Sequence, residues 1–567
     1  MKILLVAINA KYIHTSLAVR ALAAYAGACG CREVFFREYT INQQTADILA
    51  ELYRERADVI CFSCYIWNIT MVCELAENLK KILPDTRIIC GGSEVSYDSV
   101  EFMKKNPAVD GVIRGEGELP FTRLCKNGFS LGEVPGVVWR RGAEIIQNDG
   151  EEWICDLDQL PFPYTEVDLE ANRGKLIYYE ASRGCPFRCS YCLSSTAHRL
   201  RFCSAEKVKR ELQILIDHRI PVVKLTDRTF NADRERTADI LQYLIDHAED
   251  TTFHFEVAAD LLDEKLLMLL ENAPKDLFQL EIGVQSTNSE TIREIDRITN
   301  FEKIAIVVTR LRRKNNMQLH LDLIAGLPHE DLDSFERSFN QVIALRPQVL
   351  QLGFLKLLKG TKIRREASKF AYRYTGAPPY EVLGCDTLNY EDILVLKGIE
   401  NVFERYYNSG VFSRGLECLM AREKSVFGFF RRLSEFFAAQ GYDKAEHSRN
   451  TLYRILCQFA KKEQAPEIFY DALKMDYLTG NKPATPDWSL IPYDQALHKK
   501  RVALITKWRD GLLGCYQGLS VNEILKRVHF EWFRYDVTAD GRKKTYLMLF
   551  DIPERRLIGK VAEEDVE

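Results

Sequence analysis

Three cysteines stand at the spacing C-x3-C-x2-C in Ser182-Arg183-Gly184-Cys185-Pro186-Phe187-Arg188-Cys189-Ser190-Tyr191-Cys192. They directly follow a short apolar run at 176–181 that reads as a strand. Three thiolates in one loop can hold three irons of a [4Fe–4S] cluster and leave the fourth iron open. An open iron can take a small chelating ligand and pass it an electron. A zinc site is the competing chemistry and needs a fourth ligand, for which His198 or Cys203 stands nearby. Three buried core thiols are the plainest reading. Neither alternative accounts for the glycine before the first cysteine or the aromatic before the last.

Polar residues recur where later strands should end. Asp227 follows 222–225, Glu256 sits in Phe255-Glu256-Val257, Gln285 and Ser286 close Gly283-Val284-Gln285-Ser286, and Asp322 opens Asp322-Leu323-Ile324-Ala325-Gly326-Leu327-Pro328. A carboxylate and an amide suit two vicinal hydroxyls. Any one of these taken alone reads as ordinary strand-end polarity. A chain that positions them must place several strand ends around one mouth, and the pattern supplies this. Strand-like runs at 176–181, 222–225, 252–257, 279–284, 318–324 and 349–354 alternate with helical segments at 205–218, 234–247, 264–271, 289–296, 303–314 and 333–345. That alternation predicts a partial or full β/α barrel over 175–372, with its site at the carboxyl ends of the strands.

The first 138 residues show the same alternation, with strands expected at 3–8, 59–63, 87–90 and 109–113 and helices at 17–27, 45–56, 71–83 and 99–106. Such a parallel sheet binds ligands outside the carboxyl ends of its strands. Beyond those ends stand, strand by strand, Tyr12 and His14, then Ser63 and Tyr65, then Gly91-Gly92, then Arg114-Gly115-Glu116-Gly117-Glu118. No G-x-G-x-x-G comes after the first strand, which argues against a dinucleotide. A linker is expected over 139–174, where Leu160-Pro161-Phe162-Pro163 fits neither a central strand nor a helix interior. Beyond 373 the alternation gives way to helices expected at 390–409, 424–439, 443–462, 467–477 and 493–508, with strand-like tracts at 534–537 and 544–550.

Composition sets outer bounds. The 567 residues carry 77 Lys and Arg against 81 Asp and Glu, a net charge of −4, so bulk charge does not recruit nucleic acid. No apolar stretch reaches the 18 residues a membrane helix needs. Sixteen cysteines without a secretory signal suggest thiols and metal rather than disulfides, and a reducing, cytoplasmic setting.

The cysteine motif resembles the radical S-adenosylmethionine (SAM) superfamily, whose signature is C-x3-C-x-aromatic-C. The resemblance covers roughly 175–370. It implies that Cys185, Cys189 and Cys192 bind a [4Fe–4S] cluster, that SAM chelates the open iron, and that one electron cleaves SAM to methionine and a deoxyadenosyl radical. It further implies SAM contacts from Tyr191, Asp227, Glu256, Gln285, Ser286 and Asp322. The N-terminal sheet resembles a cobalamin-binding domain, which carries D-x-H-x-x-G, S-x-L or S-x-T and a G-G pair after three strands. Ser63 and Gly91-Gly92 agree with it. The first motif departs, with Tyr12 at the Asp position and Leu17 at the Gly position, so His14 is left without the carboxylate that would orient it as a cobalt ligand. The cobalamin contacts so implied are His14, Ser63, Tyr65, Gly91, Gly92 and Glu116.

Together the two halves resemble cobalamin-dependent radical SAM enzymes, which methylate unactivated centres or close and contract rings. The C-terminal region resembles a helical domain of unknown function found on a bacterial branch of these proteins. The fold class expected is therefore α/β: a Rossmann-like cobalamin-binding sheet, a partial TIM-like radical SAM barrel and a mainly α C-terminal domain. A methylthiotransferase would need three further cluster cysteines, and Cys29, Cys31, Cys61, Cys64, Cys73 and Cys90 are scattered. A non-catalytic cobalamin or redox sensor is the remaining rival. Cys203 and Cys385 could serve radical chemistry or be buried structural thiols. The cluster Arg310-Leu311-Arg312-Arg313-Lys314 reads as a solvated helix end, and alternatively as a dock for an acidic flavodoxin or ferredoxin donor.

Overall fold

The computed structural model describes residues 1–567 except 197–198, 481–493, 510, 540 and 567. His198 and Tyr493 therefore lie outside the described residues. Two compact units divide the chain, Met1–Ile393 and Leu394–Glu567.

The first unit opens with a seven-stranded sheet in the order β2-β1-β3-β4-β5-β6-β7. Its strands are β1 (Ile3–Asn9), β2 (Val34–Thr40), β3 (Val59–Ser63), β4 (Arg87–Gly91), β5 (Gly111–Ile113), β6 (Val137–Arg141) and β7 (Glu144–Gln147). The first five are parallel, and the last two add antiparallel to the edge. All seven residues of β1 are buried, as a central strand covered on both faces must be. One face packs on α2 (Thr45–Glu55), α3 (Ile69–Ile82) and α5 (Ser99–Lys105), the other on α1 (Leu17–Ala28) and α6 (Glu118–Lys126); the short α4 (Ser93–Ser96) follows β4.

Two features differ from the sequence expectation. β2 is an edge strand whose residues alternate between half-buried and exposed until Tyr39, so Arg37 and Glu38 dilute the apolar signal. The first part of the expected linker, up to Gln147, is the β6–β7 hairpin on the sheet.

The strand order reverses at β1, whose neighbours are β2 and β3. That is the switch point where doubly wound sheets leave a crevice.

Six parallel strands form the second sheet: β8 (Ile177–Tyr179), β11 (Val222–Leu225), β12 (Thr252–Glu256), β13 (Phe278–Gln285), β14 (Gln318–Ala325) and β15 (Val349–Phe354), in that spatial order. A two-residue ladder, β9 (Ser182–Arg183) with β10 (Arg201–Phe202), lies between the first two in sequence. β13 and β14 alternate strictly. Leu280, Ile282, Val284, Leu319, Leu321 and Leu323 are buried outward, while Glu281, Gln285, His320 and Asp322 face the interior. The barrel is open between β8 and β15. The loop after β1 pairs with the free edge of β8: His14 bridges Leu176, the Leu176 amide donates to Ile13 O at 2.7 Å, and Thr15 Oγ1 donates to Leu176 O at 3.0 Å.

The second unit packs helices Ser413–Met420, Val426–Ala439, Arg449–Lys462 and Glu467–Gly480 through an aromatic core that includes Phe430, Phe437, Tyr453 and Phe459. It also holds a three-stranded antiparallel sheet, Val528–Tyr535, Lys543–Asp551 and Arg556–Ala562. That sheet is longer than the two tracts expected, because charged residues alternate along its outer face.

Candidate active site

The cysteine loop is a closed hairpin. Arg201 pairs with Arg183 and Phe202 with Ser182, so the chain leaves and re-enters at one point beside β8. Gly184 must be glycine there. Its φ is +102°, and a Cβ would lie 2.6 Å from the Arg199 carbonyl oxygen. Asp227 clamps the entry, accepting from the Ala181 amide at 2.9 Å and from Ser182 Oγ at 2.5 Å. The Asp227 side chain has no exposure, and burial lifts its carboxyl to about 6. With its two oxygens so engaged, Asp227 positions the loop and is not open to SAM, which corrects the expectation from its strand-end place.

Within the loop, Cys185 Sγ lies 3.5 Å from Thr229 Oγ1, and Arg297 Nη1 donates to Cys189 Sγ at 3.7 Å. Arg297 also reaches Tyr191 Oη at 3.4 Å and donates from Nη2 to the Gly283 carbonyl at 2.5 Å. The Gln285 amide lies over Gly283, where a Cβ would meet its Nε2. Three polar atoms in this region are buried with no partner among the described residues: Arg297 Nε, Gln285 Oε1 and Asp322 Oδ1. Burial, with Glu281 and Glu256 nearby, pushes the Asp322 carboxyl up to about 8. Below it, Glu281 takes 2.9 Å contacts from Lys224 Nζ and His254 Nε2. Glu256 stands at the end of β12 with Arg228 at 3.7 Å, its carboxyl raised by burial.

Ser286 turns the other way. Its hydroxyl donates to Glu330 Oε1 at 2.6 Å and accepts from the Asn288 amide, and the residue is 1% exposed. It braces the end of β13 and is not available to SAM. Cys203 is buried with Sγ 3.9 Å from the Glu180 carbonyl and 4.0 Å from that of Leu157, a packed thiol. Cys385 is likewise buried, 3.3 Å from Thr387 Oγ1. Among the described residues no three Cys, His, Asp or Glu side chains converge on a single-ion site. A loop whose three thiols are spread suits a polynuclear cluster better than one zinc ion.

A cavity of about 380 Å³ opens at the switch point of the first sheet. Ala18, Ala21 and Leu22 of α1, Ser63 and Tyr65 after β3, and Gly91-Gly92 after β4 line it. Its far wall is Glu116, Glu118, Glu180, Arg183, Thr226 and Arg228, at the carboxyl ends of the first barrel strands. One ion network builds that wall. Arg183 meets Glu116 at 2.8 Å, Glu118 at 2.6 Å and Glu180 at 2.8 Å, while Arg201 also holds Glu116. Burial pushes the Glu116 carboxyl up, and Arg201 and Arg183 more than offset it, so Glu116 ionises below its ordinary range. The network ties the cavity to the residue two before Cys185.

The two glycines differ in role. A Cβ on Gly91 would meet the Ile113 carbonyl at an ordinary 3.6 Å, while one on Gly92, at φ +105°, would lie 2.6 Å from the Cys64 carbonyl. Gly92→Ala is therefore expected to cost about 3 kcal/mol in urea unfolding, and Gly91→Ala less than about 1 kcal/mol.

His14 is not part of the cavity. Its ring stands edge-on to Tyr178 at 6.0 Å, beside the start of the barrel, and burial together with Lys11 and Lys224 lowers its pKa. The loop that pairs with β8 draws it there, which removes it as a cobalt ligand. Arg297, Arg183, Glu118 and Arg228 were not singled out in the sequence, where nothing local marks them.

Three families match the chain: "B12 binding domain" over residues 3–125, "Radical SAM superfamily" over 179–342 and "Protein of unknown function (DUF4080)" over 368–550. The cobalamin-dependent radical SAM methyltransferase TokK of Streptomyces tokunonensis is 26% identical over 333 residues, covering 53% of this chain and 46% of that protein. The anaerobic magnesium-protoporphyrin IX monomethyl ester cyclase of Synechocystis is 27% identical over 264 residues, covering 44% and 52%. The chain thus spans about half the length of these two curated relatives. The solved structure of the cobalamin-dependent SAM radical enzyme OxsB, with aqua-cobalamin and SAM bound, matches with a TM-score of 0.59 at 15% identity, over 93% of this chain and 83% of that one. At that identity the likeness shows the fold. The chain belongs to the radical SAM superfamily, with a B12 binding domain ahead of the radical SAM domain and a DUF4080 domain behind it.

Proposed function

We propose that this chain is a cobalamin-dependent radical SAM enzyme that transfers a methyl group to its substrate, or rearranges or cyclises it. One observation carries the reading. The cysteine hairpin, the unpartnered polar atoms of Arg297, Gln285 and Asp322, and the mouth of the switch-point cavity lie on adjoining strand ends of one compact unit. The donor sets fit the groups. Cys185, Cys189 and Cys192 would hold a [4Fe–4S] cluster. The Arg297 Nε–H suits the carboxylate of SAM, Glu256 its amine, and Gln285 with Asp322 its ribose hydroxyls. Ser63, Tyr65 and Gly91 would line the nucleotide tail of a cobalamin. When bound, these groups supply one-electron cleavage of a sulfonium and a corrin-borne methyl carrier.

The chain's own residues do the rest. Asp227 and the β9–β10 ladder fix the loop, Arg297 holds Cys189 and Tyr191 in register with Gly283, and the Arg183 network seals the wall between cavity and loop. The reading includes an external one-electron donor of flavodoxin or ferredoxin type and a reducing cytoplasmic setting, in keeping with the free cysteines. No described helix is long and apolar enough to cross a membrane.

Anaerobic reconstitution with iron, sulfide and hydroxocobalamin, then SAM and dithionite, tests the function. Formation of 5′-deoxyadenosine and methionine supports it; a loaded protein that yields neither is a sensor. The raised Asp322 carboxyl adds a pH test. It is neutral near pH 7 without ligand, and hydrogen bonds from two hydroxyls favour its ionised form. Glu281, Glu256, Lys224 and Arg297 face it and set the starting value. SAM affinity measured calorimetrically is expected to rise about tenfold from pH 7 to pH 9, and to be flat over that range in Asp322→Asn.

A further inference from the structure

The chain is acidic overall, yet its charge is unevenly spread. Residues 183–201 contain four arginines and no acid, and residues 356–374 contain seven lysines and arginines against one glutamate. These two segments are distant in sequence and pack together. The Ile363 amide donates to the Ser190 carbonyl at 3.0 Å, one residue from Cys189. A third segment completes the surface, because the Ser190 amide donates to Ile295 O at 2.8 Å. Arg188, Arg293, Arg365 and Lys369 are exposed here. Arg188 and Arg365 spend hydrogen bonds on main-chain carbonyls, of Ser195 and Gly360, and keep their charge facing out. The acids within reach are already engaged, Asp296 by Lys362 at 2.8 Å and Glu294 by Lys369. Among these cations stands Ile298, 78% exposed, one residue from the Arg297 that touches Cys189.

We infer that this basic surface around Ile298 docks a small acidic electron-transfer protein, which passes one electron through the cysteine loop. The inference rests on the reading of that loop as a cluster site. Complementary charge steers such encounters and makes them salt-sensitive, and an exposed apolar residue inside a charged rim gives a small, transient interface its anchor. The alternative basic cluster, Arg310 to Lys314, is at the wrong end of the barrel. It closes the helix Phe301–Lys314, which runs down from the mouth to the start of β14, an eight-residue strand length from the loop. Arg310 there is also bound by Glu264 and Glu271. In the transfer, the donor's reduced flavin is oxidised by one electron and the cluster is reduced by one, with no bond made or broken.

The test uses reconstituted full-length protein and a purified, fully reduced flavodoxin, following bleaching of the cluster's visible absorbance by stopped flow. Arg365→Glu/Lys369→Glu and, separately, Ile298→Ser are expected to slow reduction by flavodoxin about tenfold. High salt should bring the unmodified protein to the same slow rate, and reduction by dithionite should be unchanged in all three. A flavodoxin rate insensitive to both variants and to salt overturns the proposal. So does a loss of rate in Arg312→Glu/Arg313→Glu with none at Arg365 and Lys369. If dithionite reduces no cluster in the unmodified protein, the cluster reading itself fails and the docking site with it.

Discussion

Cys189→Ala is expected to yield a folded protein that retains no reducible cluster and makes no detectable deoxyadenosine after anaerobic reconstitution. Cys189 is 5% exposed, at the centre of the hairpin, and its sulfur takes the Arg297 guanidinium. Two thiolates are too few to hold a four-iron cube against loss to solution thiols and chelators. The fold should persist, because the contacts that close the hairpin do not use the sulfur. They are Asp227 on Ala181 and Ser182, the Arg201–Arg183 and Phe202–Ser182 pairs, and Ser190 on Ile295. Cys203→Ala is the matched control. Its thiol is packed between the Glu180 and Leu157 carbonyls, so iron content should be unchanged and unfolding should shift by about 1 kcal/mol. Iron analysis with absorption spectra on both variants reads the difference directly. Full iron in Cys189→Ala would place the cluster elsewhere.

The second large effect is expected at the cavity. Ala21→Phe puts a benzyl group from α1 into a space of about 380 Å³. The site cannot move aside easily, since β1 and β3 behind it are buried in the core of the sheet. Cobalamin binding should fall at least a hundredfold, which is about 2.8 kcal/mol. The cysteine hairpin should keep its iron, because α1 does not contribute to it. Equilibrium dialysis against hydroxocobalamin, with iron measured on the same sample, separates the two sites. Unchanged cobalamin affinity would show that the cavity is not where the nucleotide tail lies.

The barrel was legible in the sequence because its strands are buried on one side and its helices are amphipathic. The runs at 222–225 and 349–354 coincide with β11 and β15. The cysteine triplet was legible because its ligands are contiguous. What sequence could not show is orientation. Asp227 and Ser286 stand at strand ends, as expected, yet both turn into the protein, to brace the hairpin and Glu330. His14 has the residue type of a cobalt ligand, but backbone pairing at Leu176 carries it to the barrel edge. Arg297 lies 108 residues from the Cys189 it touches, in a loop with no pattern of its own. Arg183 acquires its meaning only when Glu116 and Glu118 are folded against it. The edge strand β2 and the hairpin β6–β7 escaped because half their residues face water.

The function proposed for this chain stands on three cysteines gripping an iron–sulfur cube with one corner left for SAM. Electron paramagnetic resonance of the dithionite-reduced protein, recorded with and without SAM, tests it most directly. The expected result is a reduced-cluster signal whose g-values shift when SAM is added, and a loss of that shift in Arg297→Gln with the cluster signal retained. A reduced-cluster spectrum identical with and without SAM, or no cluster signal at all, would contradict it.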